Sequence, residues 1–142
     1  MTAAGGRRRT CGRAMTGAMT GAKTGAMAGA VTGTPGDLDR MQFAIEHLLD
    51  APDGWRPLVR EMVARWPEAP AGEVILAIVA AATEIEQMFG PGSPSREGAA
   101  QGWRLAALVG ADLCAMAAVG LPHVTAGDMA RYWKIDPWFR DL

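Results

Sequence analysis

The sequence predicts an all-α fold: a small helical bundle of four main helices plus a short C-terminal helix, with a disordered N-terminal tail. Three observations lead there. The run Val74–Ala82 (VILAIVAAA) is uncharged on every side, as expected of a helix buried among other elements. The segments around it carry apolar residues at three- and four-residue spacing between Pro and Gly breaks, and no stretch alternates as a strand would. The first 36 residues lack any such pattern.

That N-terminal stretch repeats every four residues from Ala14 (AMTG, AMTG, AKTG, AMAG, AVTG) and ends at Thr34-Pro35-Gly36. Solenoid units need roughly 20 to 50 residues, so a four-residue period builds no supersecondary structure. Gly at every fourth position also costs a helix about 1 kcal/mol each relative to Ala. Residues 1–36 therefore read as a low-complexity disordered tail, and residues 37–142 as one all-α domain. Met15, Met19, Met27 and Met41 are alternative initiators. Two other readings stay open for the tail. Gly17, Gly21, Gly25, Gly29 and Gly33 have the spacing of close membrane helix pairs, although Thr and Lys23 make the stretch polar. Arg7–Arg9 followed by Ala26-Met27-Ala28 has the outline of a secretory signal with a poor apolar region.

The net charge of −1 hides an asymmetry: residues 1–36 carry five cations and no acid, whereas residues 37–142 carry nine cations and fifteen acids. A net-acidic domain is a poor match for phosphate backbones, which argues against nucleic acid as the partner. Cys11 and Cys114 lie at neither metal nor disulfide-framework spacing, which points to a reducing, cytoplasmic setting.

The first domain helix is expected over 38–50, N-capped by Asp37 and stopped before Pro52. Leu38, Met41, Ile45 and Leu48 form its inner face, with Asp39, Arg40, Gln42, Glu46 and Asp50 opposite and His47 on the solvated side. The next begins at Asp53 or Gly54. Trp55, Leu58 or Val59, Met62, Val63 and Trp66 keep the period, Glu61 and Arg65 have i,i+4 spacing, and Pro67 terminates it. The central helix spans 72–89 and closes on Gly90-Pro91.

Ser93 and Pro94 open a long helix to about Val119, and the short loop before it predicts an antiparallel hairpin. Gly98, Gly102, Ala106, Gly110, Cys114 and Ala118 are small and spaced by four, a groove that invites close packing against Ala77 and Ala81. Residues 105–122 are apolar enough to raise an alternative, a membrane-associated protein inserting this helix, against which Asp112 counts. Thr125-Ala126-Gly127-Asp128 resembles a capping box for a short helix over 126–133, and Asp136-Pro137 caps a last turn.

Chemistry is sparse. The Glu-x-x-His pair of metal-binding bundles is missing, since Gln87 follows Glu84 where His would stand and Ala44 precedes His47 where Glu would. The sequence gives no catalytic, cofactor or metal residues and no evident small-molecule substrate. Asp112 is either a carboxylate paired with Arg65 or Arg104 or, unpaired, a raised-pKa acid. Tyr132, Trp133, Trp138 and Phe139 crowd into eight residues and serve either as a lid on the bundle or as the anchor for a partner. Residues 125–135 also resemble the first helix of a helix-turn-helix, the basis of an alternative reading as a DNA-binding regulator. Too few residues follow, Pro137 among them, for an ordinary recognition helix. The leading expectation is a non-catalytic protein acting on an unknown protein partner or as a homo-oligomer.

Overall fold

The structure, a computed structural model, describes residues 35–135. All of these fall in one unit, Thr32–Leu142. Among the described residues the chain forms five α-helices: α1 (Pro35–Asp50), α2 (Trp55–Arg65), α3 (Ala71–Met88), α4 (Ser95–Ala118) and α5 (Ala126–Ile135). The tetrad repeat lies outside them.

Helix α1 starts earlier than expected, at Pro35, a residue whose fixed φ suits the first turn. Asp37 therefore sits inside the helix rather than at its N-cap, and accepts a bond from Arg40 at 2.5 Å. The inner face is also rotated from the expected one. Ala44 and Leu48 are buried and Leu38 is half exposed. Arg40, expected outside, is buried because its guanidinium reaches Glu73 of α3 at 2.6 Å as well as Asp37. An arginine on the inner face is tolerated when charged acceptors meet it.

Helix α2 buries Leu58, Val59, Met62 and Val63 as its spacing predicts, with Trp55 and Trp66 half-buried at its ends. Glu61 and Arg65 find other partners than each other. Glu61 accepts from His47 of α1 at 3.0 Å, and Arg65 lies over the rings of Phe43 and Trp66. His47 is accordingly a bracket between α1 and α2, its other ring nitrogen 3.0 Å from the Phe43 carbonyl, rather than a solvated side chain.

Helix α3 lies between α1 and α4 and buries Val74, Ala77, Ile78, Ala81, Ala82 and Ile85. It is not covered all round: Leu76 is 66% exposed. The helix ends at Met88 with Phe89 extended, and the left-handed residue of the following turn is Gly92 rather than Gly90. No side-chain cap from Ser93 opens α4, whose N-cap is Pro94.

The α3–α4 hairpin is antiparallel, with Gly102 against Ala82 and Ile78 and Gly110 opposite Ile75. A Cβ on Gly98 would stand 2.2 Å from the Leu48 carbonyl oxygen of α1, so only glycine permits that approach. The small stripe works for half its length. Gly98, Gly102 and Ala106 are taken up by neighbours, while Cys114 and Ala118 are exposed. A four-residue step on a 3.6-residue helix advances about 40°, so six members sweep about 200° and leave the contact. Gly120 (φ +73°) ends α4 in a Schellman turn, with Leu121 N–H bonded to Met116 O and Gly120 N–H to Ala117 O. Among the described residues no helix is long and apolar enough to cross a membrane, α4 with its residues 105–118 included.

The capping box at α5 forms as expected: Asp128 N–H donates to Thr125 Oγ1, and Asp128 Oδ2 accepts from the Thr125 and Val124 amides. These donors, Thr125 N–H foremost, hold the Asp128 carboxyl below the 3.8 of an unperturbed aspartate. Beside it is a clasp that the sequence did not announce. Pro70 and Thr125 form an antiparallel bridge in which Ala71 N–H donates to Val124 O and Ala126 N–H to Ala69 O, both at 2.8 Å. The segments so joined are alike: Pro67-Glu-Ala-Pro-Ala-Gly-Glu-Val and Pro122-His-Val-Thr-Ala-Gly-Asp-Met each run from a proline into a helix. The clasp sets α3 and α5 off from one point.

Candidate functional site

Of the four aromatic residues singled out by sequence, Tyr132 and Trp133 are described and Trp138 and Phe139 lie outside the described residues. Tyr132 and Trp133 are half-buried and packed against the core. The Trp133 indole N–H donates to Asp112 Oδ2 at 2.8 Å, which answers where the carboxylate in the apolar helix goes. Its partner is an indole of α5, not Arg65, which is stacked on Phe43 and Trp66. The bond ties α4 to α5 and holds the Trp133 ring as a wall.

That wall divides an open groove between α2, α4 and α5. On one side, about 220 Å³ lies over Trp55, Val59, Leu105 and Leu108. On the other, about 460 Å³ lies over Val63, Ala64, Pro67 and Ala130. Arg56, Arg60, Lys134 and Asp112 rim the two parts, with Arg56 engaged by Asp53 at 2.9 Å and stacked over Trp55. The groove is apolar in its floor and carries charged side chains at its edge. A third hollow, about 270 Å³ between the end of α1 and the start of α4, holds no convergent set of charges beyond Asp50 and Glu97.

The remaining titratable candidates do not converge. Glu86 faces Arg96 at 3.7 Å, and His123 Nδ1 is 2.9 Å from the Leu121 carbonyl oxygen. Among the described residues no three His, Cys, Asp or Glu side chains group as metal ligands would.

A second surface lies on an exposed side of the α3–α4 hairpin, a face the sequence offers for self-association without naming its residues. From Leu105 to Gly120 the only charge on α4 is Asp112, which is turned toward Trp133. The outward residues Leu108, Ala111, Ala115 and Ala118 are exposed, Leu108 by 64%. Their spacing of three, four and three is a heptad seam, and that period was the signal available in the sequence. The four-residue stripe of Gly and Ala on the same helix obscured it. Leu76 on the adjoining helix is exposed as well.

The fold and these surfaces define a small all-α bundle with two apolar faces open to water. Comparison with protein families, with characterised proteins and with solved structures found no match to this chain.

Proposed function

We propose that this chain is a non-catalytic cytoplasmic protein that works by protein–protein contact, and that its first partner is a second copy of itself. The observation that carries the reading is the exposed, uncharged seam Leu108–Ala111–Ala115–Ala118 on α4. Heptad-spaced apolar positions facing water pack best against another helix. Small side chains there let two such helices approach closely. The engaged state of the polar groups supports a non-catalytic role: Asp112, Asp128, His47 and Arg40 each hold one element of the fold to another or cap a helix. The exposed thiol of Cys114 suits a reducing compartment.

Size fixes the kind of association. From Leu108 to Ala118 the seam is about 15 Å long and, at a helix width of about 10–12 Å, offers on the order of 150–200 Å². A stable dimer buries about 800 Å² per partner. At that size the pairing is reversible and depends on concentration. Light scattering on eluting chain is expected to give a mass rising from 14.9 kDa toward twice that value with concentration. Ala111→Glu, which places a charge on the exposed seam, is expected to hold the chain at the monomer mass with its helical circular dichroism unchanged. A wild-type chain that stays monomeric at millimolar concentration overturns the reading.

A further inference from the structure

His47 stands in the last turn of α1 with an acceptor at each ring nitrogen. Nδ1 is 3.0 Å from the Phe43 carbonyl oxygen, and Nε2 is 3.0 Å from Glu61 Oε2 on α2. Neither oxygen brings a hydrogen, since a carbonyl only accepts and so does an ionised carboxylate. A neutral imidazole carries one N–H, so it satisfies one of these contacts and sets a lone pair against the other. The imidazolium, a donor at both nitrogens, satisfies both. Placing the proton on Glu61 instead is no remedy. That side chain is half exposed, and a solvated carboxylate holds a proton about two pH units less tightly than an imidazole. We propose that the α1–α2 contact is a pH-sensitive latch: protonated His47 fastens the end of α1 to Glu61, and loss of the proton opens one of its two bonds.

The surroundings favour the charged ring. It lies on Phe43, ring centroids 4.1 Å apart, and an aromatic face attracts a cation. The C-terminal turn of a helix does the same through its unpaired carbonyls. From α2, Glu61 faces the ring directly, while Arg65, 5.2 Å over the same Phe43, opposes the charge. In the turn before α2, Asp53 is engaged by Arg56 at 2.9 Å. On α1 itself Glu46 is held by Gln42 at 3.1 Å, and Asp50 lies one turn further along. Arg40 and Glu73 form a second ionic tie on α1, through a guanidinium that keeps its charge at every pH the fold meets. A rise in pH across the imidazole range therefore loosens the α2 side of α1 and leaves its α3 side fastened.

The test is urea unfolding of the dilute full chain, where self-association along α4 does not enter. It compares wild type, His47→Ala, Glu61→Ala and the double variant as a thermodynamic cycle. At about pH 5.5 the two side chains are expected to be coupled by about two- to five-fold in the unfolding constant, the range for a partly exposed ion pair. At about pH 8.5 the coupling is expected to fall toward unity. Equal coupling at both pH values, or coupling that grows as pH rises, overturns the proposal. Glu61→Gln supplies a second reading, because a carboxamide can turn an N–H toward an unprotonated Nε2. That variant is expected to unfold more easily than wild type at the lower pH, with the gap closed or reversed at the higher one. A gap that does not change with pH overturns the latch as well.

Discussion

A glycine in a helix is a cost unless something uses the missing Cβ, and α4 carries both cases. At Gly98 an added Cβ would stand 2.2 Å from a backbone oxygen of α1, which cannot rotate away. At Gly110 the nearest atom is the flexible end of Ile75, at 4.0 Å. Gly98→Ala is therefore expected to destabilise the fold by about 1–3 kcal/mol, the usual penalty of overpacking. Gly110→Ala is expected to stabilise it by up to about 1 kcal/mol through helix propensity. Urea unfolding of the two variants checks the pair, and equal effects would refute the assignment. The sequence made both glycines legible as members of one stripe but could not separate them. What separates them is the angular drift of the stripe and the identity of the neighbour. Arg40 was hidden for a related reason: its binding acid, Glu73, is 33 residues away.

Helix ends show where local sequence suffices. The capping box at α5 was legible because Thr125 and Asp128 make their bonds within four residues, needing no tertiary partner. Thr125→Ala is expected to cost about 0.5–2 kcal/mol, as for other lost N-caps. Asp128 adds a pH dependence whose sign follows from its lowered pKa. A carboxyl that ionises more readily folded than unfolded contributes stability fully above 3.8, and the contribution is lost as pH falls through its lower folded value. Asp128→Asn is expected to melt earlier than wild type at neutral pH, with the gap closing below 3.8. A gap independent of pH would show that the charge has no part in the cap. The expected caps at Asp37 and Ser93 failed because of where the helices begin: α1 starts at Pro35, which puts Asp37 inside it, and the N-cap of α4 is Pro94, which leaves Ser93 one residue too early.

At the scale of the molecule, the order of helices and the α3–α4 hairpin were legible because periodicity and loop length decide them. The clasp and the groove were not, since both depend on segments far apart in the chain. Backbone pairing between Ala69–Ala71 and Val124–Ala126 leaves no period in the sequence, and the likeness of the two proline-led segments gains meaning only once they are seen to face each other. The clasp has a consequence for dynamics. Ala71 and Ala126 donate to opposite sides of one bridge, and both residues are buried. Their amides can exchange only when the bridge parts, so α3 and α5 should release there in a single opening event. Native-state hydrogen exchange is expected to give the two amides the same opening free energy. Gly127→Val places a side chain where a Cβ already stands 3.1 Å from the Pro67 carbonyl oxygen, and is expected to lower both values together. Gly72, with nothing near its own Cβ position, is the matching control: Gly72→Ala is expected to leave both unchanged. If Ala71 stays protected in Gly127→Val while Ala126 exchanges freely, the two helices start independently and the clasp is not the unit that joins them.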